Sequence, residues 1–304
     1  MKVAITGSTG FVGRTLTERL RARAHVVIPL VRRATADKCA IVIGDLGTEP
    51  QPVQIPQINA MIHLAALTHS KSTRQNGLLH RVNVGGTARA LEIACRAGAS
   101  RFIYLSSIKV NGERTFDRPF RPDDLPAPED DYARSKLAAE HMVLASLAES
   151  PMTAIILRPP LLFGSGQKGN VAALARLVSR GIPLPFASIA NRRSLMHVGN
   201  LADLIVTLLE RPLGDTNVLL AADDTIISTP DLVRAMAAAQ GRSTRLFPVP
   251  LRFMRLAARL IGARKGASSI IDSLEIDDSI TRNMLGWSPP MKVDEAIADA
   301  FSVR

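Results

Sequence analysis

Cysteine is nearly absent from this 304-residue chain: Cys39 and Cys95 are the only two. Two thiols cannot staple a chain of this length, which excludes a disulfide scaffold. Long apolar runs are missing too. No stretch approaches the roughly 20 apolar residues that cross a bilayer. Residues 2–7, Lys-Val-Ala-Ile-Thr-Gly, show none of the basic, apolar and small-residue succession of a secretory leader. A reducing cytoplasm with both thiols buried is therefore the expected setting, and no membrane span is expected. Aromatic residues make up only 4% of the chain and do not interleave with the basic ones. With no nucleic-acid motif in sight, a nucleic-acid partner is not expected. Acidic residues are in short supply, 27 Asp and Glu against 38 Lys and Arg, for a net charge of +11. The basic residues are dispersed along the chain, where they serve solubility or draw in anionic small molecules. No metal site is expected.

What is present is the composition of a compact globular protein, 46% apolar and 21% charged. Short β-branched apolar runs at 3–6, 25–30, 40–43, 60–64, 102–106 and 153–158 alternate with helix-length segments at 11–22, 79–97 and 130–149. That alternation predicts βαβ units, an α/β fold built on a doubly wound parallel sheet of the Rossmann type. Gly98 stands where the second helix needs a C-terminal cap. After Arg158 the glycines 164, 166 and 169 and the step Gly181-Ile182-Pro183 break the alternation, so a second, smaller lobe is expected. A helix over 200–210 and a strand over 218–221 are placed to return to the sheet. The stretch 251–265 is basic and amphipathic, a packed helix with a solvated basic face or a helix lying on a membrane surface.

Thr6-Gly7-Ser8-Thr9-Gly10-Phe11-Val12-Gly13 follows the first strand and opens the first helix, the context a dinucleotide fingerprint requires. Glycine there lets a pyrophosphate approach, and the helix N-terminus favours its charge. Residues 1–160 are thus expected to form a dinucleotide-binding domain, with 194–221 returning to it, and 161–193 with 222–304 to form the substrate-binding lobe. Sites that prefer NAD carry an acidic residue about 20 positions beyond the glycines. This chain offers Arg32 and Arg33, which suit a 2′-phosphate, so the cofactor is expected to be NAD(P) with a lean to NADP. Pro29, inside the preceding strand, removes a ladder donor and is expected to disturb the strand's end.

Tyr132 and Lys136 stand four residues apart on one helical face. A cation about 5 Å from a phenol, at an effective dielectric near 20, contributes roughly 3 kcal/mol. That is enough to bring a phenol from about 10 to about 8 and let it exchange a proton near neutral pH. The helix follows the strand ending in Ser106-Ser107, so the Ser107 hydroxyl and the phenol converge at the strands' carboxyl ends.

On these residues the sequence resembles the extended short-chain dehydrogenase/reductases of the NAD-dependent epimerase/dehydratase family. The likeness rests also on Gly44-Asp45-Leu46, His63-Leu64-Ala65-Ala66, Asn83-Val84-Gly85-Gly86-Thr87 and Leu285-Gly286-Trp287. It implies a catalytic trio of Ser107, Tyr132 and Lys136. It implies a cofactor site of Gly7, Thr9, Gly10, Phe11, Val12, Gly13, Arg32, Arg33, Asp45, Leu46, Leu64, Ala65, Ala66, Asn83 and Pro159, with Tyr132 and Lys136 at the nicotinamide end. The segments 106–113, Arg158-Pro159-Pro160, Gly169-Asn170 and 191–195 are similar to bacterial UDP-sugar 4-epimerases and UDP-4-keto-sugar reductases of surface-polysaccharide synthesis. That likeness implies a UDP-sugar substrate held by Ser107, Lys109, Asn170 and Arg193, Arg193 clamping the diphosphate, and a homodimer through two helices per subunit.

Family 4,6-dehydratases follow the catalytic hydroxyl with an Asp-Glu pair; here Ile108 and Lys109 stand in its place, and neither can serve as that acid. Asn111 replaces a usual tyrosine, and Leu161 a usual asparagine. The expected reaction is reduction of a UDP-linked 4-keto sugar, with UDP-hexose or UDP-N-acetylhexosamine 4-epimerisation as the alternative. A non-catalytic dinucleotide sensor is the alternative from another class.

Overall fold

A computed structural model describes residues 1–48, 53–68, 77–146, 150–167, 169–212, 217–260 and 264–302. In chain order the first half comprises β1 (Lys2–Thr6), α1 (Phe11–Ala22), β2 (Val26–Val31), β3 (Ile41–Val42), β4 (Ala60–His63), α2 (Leu78–His80), α3 (Gly86–Arg96), β5 (Arg101–Leu105), α4 (Asp131–Ser146) and β6 (Thr153–Arg158). The second half comprises β7 (Leu161–Phe163), α5 (Asn170–Ser179), β8 (Arg193–His197), α6 (Val198–Glu210), β9 (Val218–Leu220), β10 (Ile226–Ile227), α7 (Thr229–Ala239), α8 (Leu251–Leu260), α9 (Arg264–Ile271), α10 (Ser279–Leu285) and α11 (Val293–Phe301).

The large sheet is parallel throughout, in the order β3-β2-β1-β4-β5-β6-β9. Its strands are apolar on both faces, as burial under helices on each side demands. Val3, Ile5, Ile62, Ile103 and Leu157 face a core shared with Leu16 and Leu20 of α1 and Leu201, Leu204, Ile205 and Leu208 of α6. On the opposite face Ala4, Met61, Phe102, Tyr104 and Ile156 pack against Ala90, Leu91 and Ala94 of α3 and Ala139 and Val143 of α4. Gly98 closes α3 with φ +69°, and its N–H reaches the Cys95 carbonyl at 3.1 Å.

Three sequence expectations change. The segment read as one helix over 79–97 begins with α2 and passes through a π-helical turn, Arg81–Gly85, before α3. The Thr87 hydroxyl bonds the Asn83 carbonyl at 2.6 Å within that turn, competing with the regular ladder. Of 194–221, β9 joins the large sheet and α6 packs against it, but β8 sits between β10 and β7 in a separate three-stranded sheet. Cys39 and Cys95 are both exposed free thiols rather than buried ones, because each lies outside the packed stripe of its segment. The expected helix at 130–149 runs from Asp131 to Ser146, and residues 147–149 lie outside the described residues.

Pro29 sits inside β2 opposite Ile5 without ending the strand. The Val31 carbonyl points to β3, where it accepts from Ile43 at 2.9 Å. Pro29, two residues earlier, faces the same way, and pairing with β3 begins only at Leu30. The missing donor therefore falls where there is no ladder to break.

The small sheet, α5, α7 and α11 enclose a second core around Phe163, Val233, Met236, Ala296 and Phe301. Among the described residues no helix is long and apolar enough to cross a membrane.

Candidate active site

The strand order reverses between β1 and β4, and in open parallel sheets the crevice outside the carboxyl ends at such a point takes the ligand. Residues 7–13, 64–68, 106–111 and 159 all leave the sheet there. Gly7, at φ +73°, turns the chain so closely over the next strand that a Cβ would lie 2.8 Å from the Ala65 nitrogen. At Gly13 a Cβ would meet the Gly7 carbonyl at 2.1 Å, so the loop folds onto its own helix only with glycine. Gly10 N-caps α1 with no side-chain bond, no acidic residue occupies the first turn, and Thr9 and Gly10 are exposed. Phe11 and Val12 are half-buried behind them, Val12 against the core. Uncapped N–H groups at an open helix end fit the pyrophosphate of a dinucleotide.

Arg32 and Arg33 are exposed beyond the end of β2. Arg32 lies 3.5 Å from Asp45, whose other oxygen accepts from the Gly47 N–H at 2.9 Å. Leu46 packs over Gly86, where a Cβ would stand 3.1 Å from its own. The loop 64–68 is tied down by Asn83, only 1% exposed: its Oδ1 accepts from Leu67 N at 2.7 Å, and its Nδ2 donates to Leu67 O and to Ser135. With both amide hydrogens committed, Asn83 holds the loop that carries Leu64, Ala65 and Ala66. His63, beneath, bonds Thr6 and Thr87 through its two ring nitrogens. Burial, helped by the charge of Lys136, pushes it down to about 3, so it is a neutral strut.

Ser107 follows β5, and Tyr132 and Lys136 lie in α4. Ser107 N-caps a short 3-10 turn, Ile108–Val110, directly after β5, and its Oγ accepts from the Lys109 N–H at 3.3 Å. The Pro159 carbonyl holds this turn through the Ile108 N–H at 2.9 Å. Asp130 caps α4 by accepting from the Ala133 N–H at 2.7 Å, which sets Tyr132 and Lys136 in the first two turns. Lys136 is 2% exposed; its Nζ donates to the Leu105 carbonyl at 2.7 Å and lies 4.6 Å from the Tyr104 ring centre. Burial lowers its pKa to about 7, Glu140 acting in the opposite sense. Tyr132 departs from expectation: burial first, and then the Asp130 carboxylate, push its pKa above the ordinary phenol value. The spacing put a cation near the phenol, but desolvation weakens that cation and favours the neutral phenol as well.

Behind the trio lies a buried network whose centre, Glu140, motif reading did not single out. Glu140, one turn beyond Lys136, accepts from Ser106 and from the Arg158 guanidinium through both its oxygens. Arg158 continues to the Asn111 side chain at 3.0 Å, and Asn111 donates to the Arg121 carbonyl at 3.1 Å. Asn111, which replaces the family's usual tyrosine, thus terminates an ionic chain. The spacing 132, 136, 140 was the available signal, since it repeats one helical face.

Across the cleft, Arg193 on β8 is 7% exposed, with Nη1 on the Asp272 carbonyl at 2.7 Å. Its Nε has no partner, and no carboxylate lies within ion-pair range among the described residues. Asn170 opens α5, exposed, 3.5 Å from Ser269. Lys109 bonds Glu113 and Asp130, each at 3.0 Å; burial opposes its charge, but these partners outweigh it and raise its pKa. The Lys109 ammonium thus belongs to an ion cluster with Glu113 and Asp130. A cavity of about 360 Å³ between the two sides is lined by Glu113, Glu129, Arg255, Arg259, Ser268 and Asp272 among others. Of these only Glu113 fell within a recognised motif. Among the described residues no cluster of His, Cys, Asp and Glu could hold a metal.

Residues 3–219 match the NAD dependent epimerase/dehydratase family. A UDP-glucose 4-epimerase of Vibrio cholerae is 38% identical over 98% of this chain and 95% of its own length. A ceramide reductase of Caulobacter vibrioides is 31% identical over 86% of this chain and 77% of its own. Among solved structures, MoeE5 in complex with UDP-glucuronic acid and NAD aligns with a TM-score of 0.77 and 26% identity, covering 98% of this chain and 97% of that one. The chain belongs to the NAD dependent epimerase/dehydratase family, as an enzyme of the extended short-chain dehydrogenase/reductase type that binds NAD(P).

Proposed function

We propose that this enzyme acts at C4 of a UDP-linked sugar, and that its reaction is 4-epimerisation of a UDP-hexose or UDP-N-acetylhexosamine. One observation carries the reading: buried Lys136, bonded to the Leu105 carbonyl at 2.7 Å, lies one turn beyond Tyr132 and beside the strand end that delivers Ser107. The 38% identity to a UDP-glucose 4-epimerase over nearly the whole chain supports the choice of reaction.

The nicotinamide of a bound NAD(P) supplies hydride exchange at C4 of the sugar. Thr9 to Gly13 hold its pyrophosphate at the open end of α1, Asp45 and Leu46 flank the adenine, and Leu64, Ala65, Ala66 and Pro159 line the path between. Tyr132, as the phenolate, takes the proton of the C4 hydroxyl when the sugar is oxidised and returns it to the C4 oxygen when the ketone is reduced. Ser107 Oγ donates to the same oxygen, and Lys136 holds the nicotinamide ribose. Arg193 pairs with the diphosphate through its unpartnered edge, with Asn170 beside it. A clamped diphosphate leaves the sugar ring free to turn over between losing and regaining hydride at C4, which epimerisation requires.

Reduction of a 4-keto sugar with NADPH is the second reading, favoured by Arg32 and Arg33, two exposed guanidiniums just beyond β2 that suit a 2′-phosphate. Purified protein that retains nicotinamide and converts UDP-glucose or UDP-N-acetylglucosamine to its C4 epimer without added cofactor supports the epimerase. Protein that is empty, and oxidises NADPH only with a UDP-4-keto sugar, supports the reductase instead. Unchanged NADPH affinity in Arg32→Ala/Arg33→Ala would remove the NADP preference. A homodimer through 79–97 and 130–149, and a cytoplasmic location, belong to the same proposal; light scattering and cell fractionation test them.

A further inference from the structure

The net charge of +11 is less evenly distributed than the whole-chain count suggests. Residues 232–271 hold eight Lys and Arg and not one Asp or Glu. Helix α8 lies inside this stretch. At about 100° per residue its side chains form three stripes. Leu251, Met254 and Ala258 turn onto the second-lobe core or are buried beside it. Arg252, Arg255 and Arg259 make the second stripe, Arg255 paired with Asp272 and Arg259 lining the cleft. Phe253, Leu256 and Leu260 make the third, 52%, 51% and 80% exposed. Arg252 borders this last stripe, its guanidinium 4.9 Å from the centre of the Phe253 ring.

We propose that α8 docks the protein on an anionic phospholipid bilayer, lying in the plane of the interface. Phe253, Leu256 and Leu260 seat at the boundary of headgroups and acyl chains, and the acid-free basic stretch meets the lipid phosphates. Ten residues are too short to span a bilayer, but an apolar stripe beside a basic one is the pattern of an interfacial helix. Charge complementarity selects the lipid surface. Nucleic acid would satisfy the arginines but offers nothing to two exposed leucines, and a second copy of the same face would oppose like charges. Because Arg255 and Arg259 belong to both the helix and the cavity wall, docking would set the mouth of the cleft near the membrane.

The test is co-sedimentation of the full chain with sucrose-loaded vesicles of phosphatidylcholine containing one-third phosphatidylglycerol, against phosphatidylcholine alone. Binding is expected to the anionic vesicles only and to weaken with salt as the charges are screened. Leu256→Gln with Leu260→Gln should lower the partition constant about tenfold or more without moving the thermal unfolding midpoint. Arg252→Gln should weaken binding a few-fold and flatten its salt dependence. Three outcomes would overturn the proposal: no binding to anionic vesicles at low salt, binding indifferent to the leucine replacements, or a dimer that those replacements dissociate while vesicles are ignored. Tighter binding to duplex DNA than to the vesicles would overturn it as well, in favour of a nucleic-acid surface.

Discussion

Beneath the proposed trio, Ser106, Glu140, Arg158 and Asn111 are each 4% exposed or less and bond one another in sequence. Across the cleft Arg193 is buried to a similar degree, yet its Nε has no partner among the described residues. Two buried guanidiniums thus differ in what they await. Arg158 is neutralised by Glu140 within the fold, and its cost of burial is met before any ligand arrives. Arg193 has only the Asp272 carbonyl and distant charge, and on the proposed function the diphosphate completes it. On the proposed function, the first side holds the groups that move protons and the second keeps a donor for recognition.

Substitutions on each side sharpen or break this contrast. The largest effect is expected from Tyr132→Phe, which should lower turnover by about a thousandfold while UDP-sugar affinity by calorimetry stays within a few-fold; retained turnover breaks the assignment of the proton donor. Glu140→Gln strands the buried Arg158 charge and should reduce stability by about 3 kcal/mol in denaturant titration. A near-neutral result would mean that the first lobe is no more self-sufficient than the second. Arg193→Ala should raise the KM for UDP-sugar roughly ten- to hundredfold and leave kcat within a few-fold, since nothing in its own lobe depends on its charge. An unfolded Arg193→Ala protein would place it with Arg158 as a structural cation.

The smallest effect concerns pH. The Asp130 carboxylate penalises the Tyr132 phenolate and so raises the phenol's pKa. Asp130→Asn removes the charge while keeping a side-chain oxygen that caps α4. The limb of the kcat/KM profile that reports the phenol should therefore move to lower pH. A limb that stays in place separates Asp130 from the proton transfer.

The order of strands and helices was legible because buried parallel strands write themselves as short apolar runs between amphipathic helices. β1, β6 and α1 emerge close to where their residues predict. β8, Arg-Ser-Leu-Met-His, has no such apolar run, and pairing partners are not written in periodicity; it joined β7 and β10. In the site, Gly7, Gly13, Ser107, Tyr132 and Lys136 were readable from spacing. The direction of Tyr132's shift was not, because spacing reports how far apart two groups stand along a helix and not how much water each has lost. What the spacing did not show is that Lys109 also bonds Glu113 and Asp130, and Asn83 also bonds Leu67 and Ser135. Such commitments depend on neighbours brought from elsewhere in the chain.

The margins of the large sheet carry one further consequence. β3 contributes two residues and β9 three, and Pro29 keeps the ladder beside β3 from extending backward along β2. Each flank therefore ends in a stub too brief to template an incoming strand. A hydrophobic sheet of seven strands would otherwise invite edge-to-edge polymerisation during folding. Truncated borders protect this one from growing into a fibre.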